Sequence, residues 1–415
     1  MVLKSLRPDK RTLLSCSLLS KSWRDICLPL VFSSIIAKSN TTFSGLFSFL
    51  LGHPHLAKLV KSISFQRKIE RVRYPVPKAG VNLIMVTDER MPSFDCVSFA
   101  DVLPVLVGLQ QLIFENIKPS KRSSQRGIGN AVAPFRLQRL ELYDHRSTLA
   151  LLPALLSVLS INTVHFGRIA LRDGVSPFVT LGRHTALVIP DLVVTRTAAG
   201  LLGPLRTVVH RSRLRSLTVA VEIPDQLGLL CSFVLDAGAM ITSLDVSLSH
   251  LVHEVTRMKD APPVRWASLG EALLACRNLE TLRIAVPVVR PSEIRASFAH
   301  PGDDPRLSLF SGIFTPRNLP RTLREVTVGL DCDGFTISMK PAFTTGTRPE
   351  LWDLAALDAA LSLSAKTLQE LRSVKVEVGI SEARRVDVPF LKEAITQALP
   401  NLSAGVLLEV VSRTT

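Results

Sequence analysis

Three things are scarce in this 415-residue chain: aromatic rings, acidic side chains and cysteines placed to act together. Aromatics make up 6% and two residues are tyrosine, whereas Leu and Val dominate, a makeup that suits short stacked units filled by branched aliphatics. The six cysteines are Cys16, Cys27, Cys96, Cys231, Cys276 and Cys332, none within four residues of another. That scatter excludes the close pairing of a zinc site and a compact disulfide framework. Apolar company, as in Leu230-Cys231-Ser232-Phe233, makes them small buried hydrophobes of a reducing, intracellular setting, cytoplasmic or nuclear. A charged-then-apolar secretory pattern is missing too, so the sequons Asn40-Thr41-Thr42 and Asn401-Leu402-Ser403 carry little weight.

Bilayer-spanning runs are also wanting. Residues 147–167 lack Asp, Glu, Lys and Arg, yet Pro153, Ser157, Ser160, Asn162, Thr163 and His165 make a poor membrane segment. An apolar helix followed by a buried strand accounts for the stretch better, and no membrane partner is expected. Catalytic signatures are equally thin. Gly127-Ile128-Gly129-Asn130 lacks the third glycine of a dinucleotide loop and no strand leads into it. His53-Pro54-His55 reads as a polar turn, and Asp303-Asp304 and Asp331-x-Asp333 stand without a phosphate loop or a second carboxylate pair. With no Gly-x-Ser-x-Gly elbow either, the residues point to a non-enzymatic protein with no catalytic, metal or cofactor residues.

The deficit of acids leaves a formal charge of +15, from 50 Lys and Arg against 35 Asp and Glu. Such a balance favours acidic partners, nucleic acid or anionic surfaces, unless the arginines merely keep an apolar array soluble. The densest basic run holds Arg206, Arg211, Arg213 and Arg215 with His210, and it is the candidate anion-binding patch. Strand alternation through 214–219 sets Arg215 on a different face from Leu214 and Leu217. The loop from Lys118 to Arg126 is basic too but has no interleaved aromatics for stacking bases.

What is abundant is a recurring unit. A short apolar helix, a turn often holding Pro, and a strand of the form Leu-x-x-Leu-x-Leu return along the chain. The clearest copy runs from Leu269 to Ile284, containing Leu279-Glu280-Thr281-Leu282-Arg283-Ile284. Others centre on Leu56 to Phe65, Leu109 to Phe114, Leu137 to Leu142, Thr163 to Phe166, Leu214 to Val219, Leu319 to Val328, Val374 to Val378 and Gly405 to Val410. This is the signature of leucine-rich repeats, in which no unit buries its own apolar face and stacking builds a continuous core. The irregular spacing implies divergent copies with inserted loops, among them 118–130, 290–306 and 340–350. A parallel-sheet α/β domain with crossover helices gives nearly the same alternation, and the shared Leu pattern favours the repeat array.

The opening of the chain differs from the rest. Leu14, Leu18 and Leu19 recur beside Cys16 and Trp23, so a helix from Thr12 to about Trp23 has one apolar face. Asp9 is placed to cap it, and Pro29 marks the exit of a second short helix over Arg24 to Leu28. The segment is a small helical hairpin in need of a partner.

The elements Leu13-Leu14, Leu18-Leu19-Ser20-Lys21-x-Trp23 and Leu30-x-Phe32-x-x-Ile35 resemble the second half of an F-box, in the form common among fungal F-box proteins. The usual Leu-Pro-x-Glu opening and first helix are not matched, only Val2-Leu3-x-x-Leu6, so either the true start lies upstream of Met1 or the adaptor-binding half is missing. The resemblance implies that Leu13, Leu14, Leu18, Leu19 and Trp23 lie at or support the interface with the adaptor of a cullin-RING ubiquitin ligase. It also implies that the remaining chain selects a protein target. The expectation is thus α/β: a partial F-box-like hairpin over 1–36, a linking helix and first strand over 37–65, and over 66–415 an irregular leucine-rich-repeat solenoid with a curved parallel sheet. A basic scaffold that binds nucleic acid or acidic proteins without any ligase is the other reading.

Overall fold

The computed structural model describes residues 9–68, 91–120, 134–144, 146–169, 187–257, 264–287, 309–315, 317–331, 354–368, 370–380, 388–404 and 408–414. Of the inserted loops named above, 118–120 are described; the rest of that loop, 290–306, 340–350, Gly127 to Asn130, Asp303-Asp304 and Cys332 lie outside these ranges. The chain divides into two compact units, Met1–Leu187 and Val188–Thr415, a division that the sequence reading, with its boundaries at 36 and 65, does not contain.

The first unit opens with helices α1 (Lys10–Ser17) and α2 (Lys21–Phe32) and continues directly into strand β1 (Ser34–Ser39). Four further strands, β2 (Ser62–Arg67), β4 (Gln111–Glu115), β6 (Phe135–Tyr143) and β7 (Leu159–Gly167), follow in a parallel sheet whose order is the chain order. Between β2 and β4 lies β3 (Ser93–Phe94), which pairs with β5 (Lys118–Pro119) in a short parallel ladder. Registry stacks like on like: Ile63, Leu112, Leu140 and Val164 form one buried column, and Phe65, Phe114, Leu142 and Phe166 the next. Side chains between these columns point the other way, as a period of two requires.

Few as they are, the aromatic rings are concentrated. Phe65 stacks on Phe114 with centroids 5.2 Å apart, and Phe94 meets both edge-on at 4.9 and 4.8 Å. Phe43 and Phe47, flanking the start of helix Ser44–Gly52, and Phe99 of helix Cys96–Val102 close the cluster. Tilted and T-shaped pairs of this kind add about 0.5–1.5 kcal/mol each beyond their burial.

The second unit repeats the plan with β8 (Asp191–Thr195), β9 (Ser216–Ala220), β10 (Ser243–Ser247), β11 (Thr281–Pro287), β12 (Glu325–Asp331), β13 (Ser373–Ile380) and β14 (Leu408–Thr414). They too are parallel and in chain order. The buried columns are Leu192, Leu217, Leu244, Leu282, Val326 and Val374, then Val194, Val219, Val246, Ile284, Val328 and Val376. In neither unit does the strand order reverse, as it does at the switch point of a doubly wound sheet.

Helices return the chain between strands, among them Pro224–Ala237, Trp266–Leu273, Leu309–Ile313, Leu354–Thr367 and Val388–Ala398. Their packing is close where glycine permits it. A Cβ on Gly270 would stand 2.8 Å from the Gly312 carbonyl oxygen, and one on Gly312 would stand 2.9 Å from the Trp266 Cβ, so these helices touch through bare backbone. Asp358, buried in helix Leu354–Thr367, accepts hydrogen bonds from the Asn401 and Leu402 amides at 3.1 and 2.9 Å and from the Asn401 side chain at 2.7 Å. That carboxylate satisfies the first donors of helix Pro400–Ala404.

Among the described residues no helix is long and apolar enough to cross a membrane, and residues 147–167 form short helices followed by β7. Cys27, Cys96, Cys231 and Cys276 are buried, and burial raises the last two thiols to about 11 and about 12.

Candidate functional site

The hairpin is built by its caps. Asp9 accepts the Thr12 amide at 3.1 Å and the Thr12 hydroxyl at 2.6 Å, bonds that hold its carboxyl below the usual range. Ser20 accepts the Trp23 amide at 3.2 Å and starts α2. These caps correct the expected helix from Thr12 to Trp23: the chain turns at Leu18-Leu19, whose amides donate to Ser15 and Cys16 carbonyls at 3.2 and 3.1 Å. The expected stop at Pro29 is corrected as well, since α2 runs through it to Phe32. A proline removes one helical donor and costs about 3 kcal/mol, and here Cys27 and Val31, buried on either side of it, hold the helix in place. Lys10 Nζ donates to the Ser34 carbonyl and so ties α1 to the start of β1.

Of the five expected interface residues, Leu13 is inside. It is fully buried against Cys27 and Val31, with Cys16, Leu30 and Phe32 around them, so it supports the hairpin and offers a docking partner no surface. The other four are exposed: Leu14 by 45%, Leu18 by 79%, Leu19 by 71% and Trp23 by 40%. Ile26, exposed by 52% and one turn after Trp23 on α2, joins them. Sequence reasoning missed it, although its i, i+3 spacing from Trp23 was available. The hairpin thus wears its apolar residues at the turn and along α2 instead of burying them.

The sheets carry a second set of polar groups. In the first unit Glu141, 8% exposed, receives Gln111 Nε2 at 2.6 Å, Arg139 Nε at 2.6 Å and the Tyr143 hydroxyl at 2.5 Å. Burial, with Glu141 adding, raises the Tyr143 phenol, and burial lowers His165, whose Nδ1 lies 3.1 Å from that hydroxyl. Just past the strand ends, Asn116, Asp144 and Arg168 share a left-handed backbone with φ of 56°, 72° and 56°. Asn and Asp tolerate that region; Arg168 is held there with its Nε 2.9 Å from Asp144 Oδ1. Burial and the neighbouring Asp144 raise the Glu115 carboxyl, which lies 3.7 Å from Arg168 Nη2.

In the second unit Arg283 on β11 reaches Asp245 of β10 at 3.1 Å and Glu377 of β13 at 3.0 Å, and Lys375 meets Glu325 at 3.0 Å. Arg283 passes over Gly329, where a Cβ would lie 3.0 Å from its Nη2. Burial works against this guanidinium, and the two carboxylates more than offset it.

The groove of about 400 Å³ at the first unit's strand entries is lined by Ser33, Lys61, Ser62, Gln111, Gln138 and Arg139, and the Ser62 hydroxyl donates to Gln111 Oε1 at 3.3 Å. Among the described residues no three His, Cys, Asp or Glu side chains gather as metal ligands, and His53 stacks on Phe49 while His55 lies beside it.

The basic run does not form the single patch expected of it. Arg206 and Arg211 both turn to Asp236, Arg211 at 3.5 Å, because helix Pro224–Ala237 brings that carboxylate alongside. Arg215 donates weakly to the Met240 carbonyl at 3.4 Å, and Arg213 is exposed. Among the described residues Arg213 and Arg215 make no ion pair, unlike Arg206 and Arg211.

No protein-family model matches the chain, and a search of curated proteins finds no match.

Proposed function

We propose that the chain is a substrate-recognition subunit of a cullin-RING ubiquitin ligase, docking on the ligase adaptor through α1 and α2. The observation that carries this reading is the exposure of Leu14, Leu18, Leu19, Trp23 and Ile26 on a hairpin whose inner face is already filled by Leu13, Cys27 and Val31. A capped hairpin that buries one apolar face and presents another is suited to helix-in-groove recognition. The F-box-like order of Leu14, Leu18, Leu19 and Trp23 supports the adaptor as the partner, and through it the cullin scaffold.

Behind the hairpin we infer a leucine-rich-repeat-like solenoid. Support comes from parallel strands in chain order within each unit and from in-register Leu and Val columns, as stacked repeats require. Its polar sheet face would hold a protein target by surface complementarity, bringing it to a ubiquitin-loaded enzyme without bond chemistry of its own.

Co-purification of the full chain with adaptor and cullin tests the proposal. Stable association that is lost in the Leu18→Asp, Trp23→Ala double variant, with unchanged circular dichroism and melting, is the expected result. A wild-type chain that fails to bind, or a variant that binds equally well, would refute the docking role of this face.

A further inference from the structure

Register gathers arginines that the sequence scatters. In the second unit the sheet ladder extends one residue before the strands: the amides of Thr242, Glu280, Arg324 and Arg372 donate in turn to the carbonyls of Arg215, Thr242, Glu280 and Arg324, each at 2.8 Å. Arg215, Thr242, Glu280, Arg324 and Arg372 therefore stand in one row across the entry ends of β9 to β13, spanning about 19 Å at ~4.8 Å per strand.

The described segments leading into these strands, 209–215, 238–242, 274–280, 317–324 and 370–372, contain eight arginines and two glutamates, and neither lysine nor aspartate. Arg324 takes both glutamates, Glu280 at 3.5 Å and Glu370 at 3.2 Å, and Arg211 is held by Asp236. Among the described residues Arg213, Arg215, Arg277, Arg317, Arg321 and Arg372 make no ion pair, and all six are exposed. The inner sheet rows, by contrast, are internally matched through Arg283 and Lys375.

We propose that this arginine-lined entry edge binds double-stranded nucleic acid through its phosphate backbone, without sequence preference. The inference does not depend on the ligase reading. Guanidinium forks match phosphate oxygens two at a time. The apolar residues of the same segments, Val209, Leu214, Ile241, Leu279, Leu323 and Leu371 among them, are turned into the core, and Leu274 alone is a largely exposed hydrophobe. An edge that shows charge without apolar anchors lacks the centre of a protein interface. Among its described residues it also has no Phe, Tyr or Trp ring, and the His210 imidazole is the aromatic side chain it offers to single-stranded bases. A duplex carries one charge per ~1.7 Å of axis, so several phosphates lie within reach of a ~19 Å row.

The test is fluorescence anisotropy of the full chain with a labelled 20-base-pair DNA duplex of mixed sequence, titrated between 50 and 200 mM KCl. Binding that weakens steeply with salt is expected. The Arg277→Ala, Arg321→Ala, Arg372→Ala triple variant should bind at least tenfold more weakly at 100 mM and lower the log–log salt slope by about 3, roughly one per lost phosphate contact. Lys392→Ala, an exposed cation on helix Val388–Ala398, should leave both quantities unchanged. If the triple variant melts early, the matching Arg→Lys set keeps the charge and should retain binding. Absence of binding at 50 mM, wild-type affinity in the triple variant, or displacement by poly-glutamate as effective per charge as by unlabelled duplex would each overturn the proposal, the last in favour of an acidic protein.

Discussion

Gly270→Ala and Gly228→Ala are the same substitution in two helices of the second unit, and the structure gives them opposite signs. An interior helical glycine costs about 0.5–1 kcal/mol relative to alanine, so each replacement starts with a gain of that size. At Gly228, in helix Pro224–Ala237, nothing lies within 4 Å of the added methyl and the gain stands. At Gly270 the methyl would lie 2.6 Å from Asn318 Nδ2, 2.8 Å from the Gly312 oxygen and 3.1 Å from the Ile313 oxygen. The Asn318 amide can swing aside, but the two carbonyls belong to helix Leu309–Ile313 and move only with it. Overpacking of this kind costs about 1–3 kcal/mol, with the upper half of that range apt where backbone must yield. The net for Gly270→Ala is therefore a loss of about 1–2.5 kcal/mol, against a gain of about 0.5–1 kcal/mol for Gly228→Ala. Urea denaturation followed by circular dichroism reads both as shifts of the midpoint at constant slope. Two midpoints that rise together would mean that the helices Trp266–Leu273 and Leu309–Ile313 do not meet through bare backbone. Gly312→Ala, whose methyl faces Trp266 Cβ at 2.9 Å, should behave like Gly270→Ala.

Further outcomes follow from the buried polar groups and the hairpin. Asp358→Ala should destabilise the chain by about 2–4 kcal/mol in the same urea assay, because it strands the Asn401 and Leu402 amides. His165 is held neutral by burial, so between its lowered pKa and the ordinary imidazole value the unfolded chain binds more protons. Its contribution to stability is complete above about pH 6.5 and declines as the pH falls towards the folded-state pKa; His165→Gln should remove that slope from unfolding curves recorded between pH 5 and 7.5. Leu13→Ala should cost about 2–5 kcal/mol as a cavity in the hairpin core, whereas Leu18→Ala should leave the melting temperature nearly unchanged. Equal effects at Leu13 and Leu18 would contradict their opposite burial. Arg283→Met leaves Asp245 and Glu377 without their shared cation and should cost about 1–3 kcal/mol, less at high salt since all three side chains are part-exposed.

Local pattern was sufficient wherever it coincided with packing. Thr281-Leu282-Arg283-Ile284 reads as a strand because Leu282 and Ile284 alternate with polar neighbours, and β11 forms there. The strands near Leu112, Leu140, Leu217, Val326 and Val376 were legible for the same reason. β1, β8 and β10 were not singled out, although Leu244 and Val246 alternate with polar neighbours in β10 as Leu282 and Ile284 do in β11; β1 follows α2 without a turn signal. Within the hairpin the apolar residues were visible in sequence but their direction was not. Leu13 and Leu14 are adjacent and chemically alike, yet one faces Cys27 and the other faces solvent, a difference set by the Ser20 cap and the angle at which α2 returns.

The sequence by itself determined the α/β class, the repeated helix and strand, the aliphatic core and the surplus of positive charge, since each depends on residue type and short-range period. Tertiary structure alone decided which charges remain uncompensated. Arg206 is neutralised by Asp236 thirty residues later, Arg283 is shared by carboxylates on two other strands, and Arg277, Arg321 and Arg372 come to one edge only through the register of parallel strands. Electrostatic interaction follows distance in space, which the order of residues along a chain does not encode.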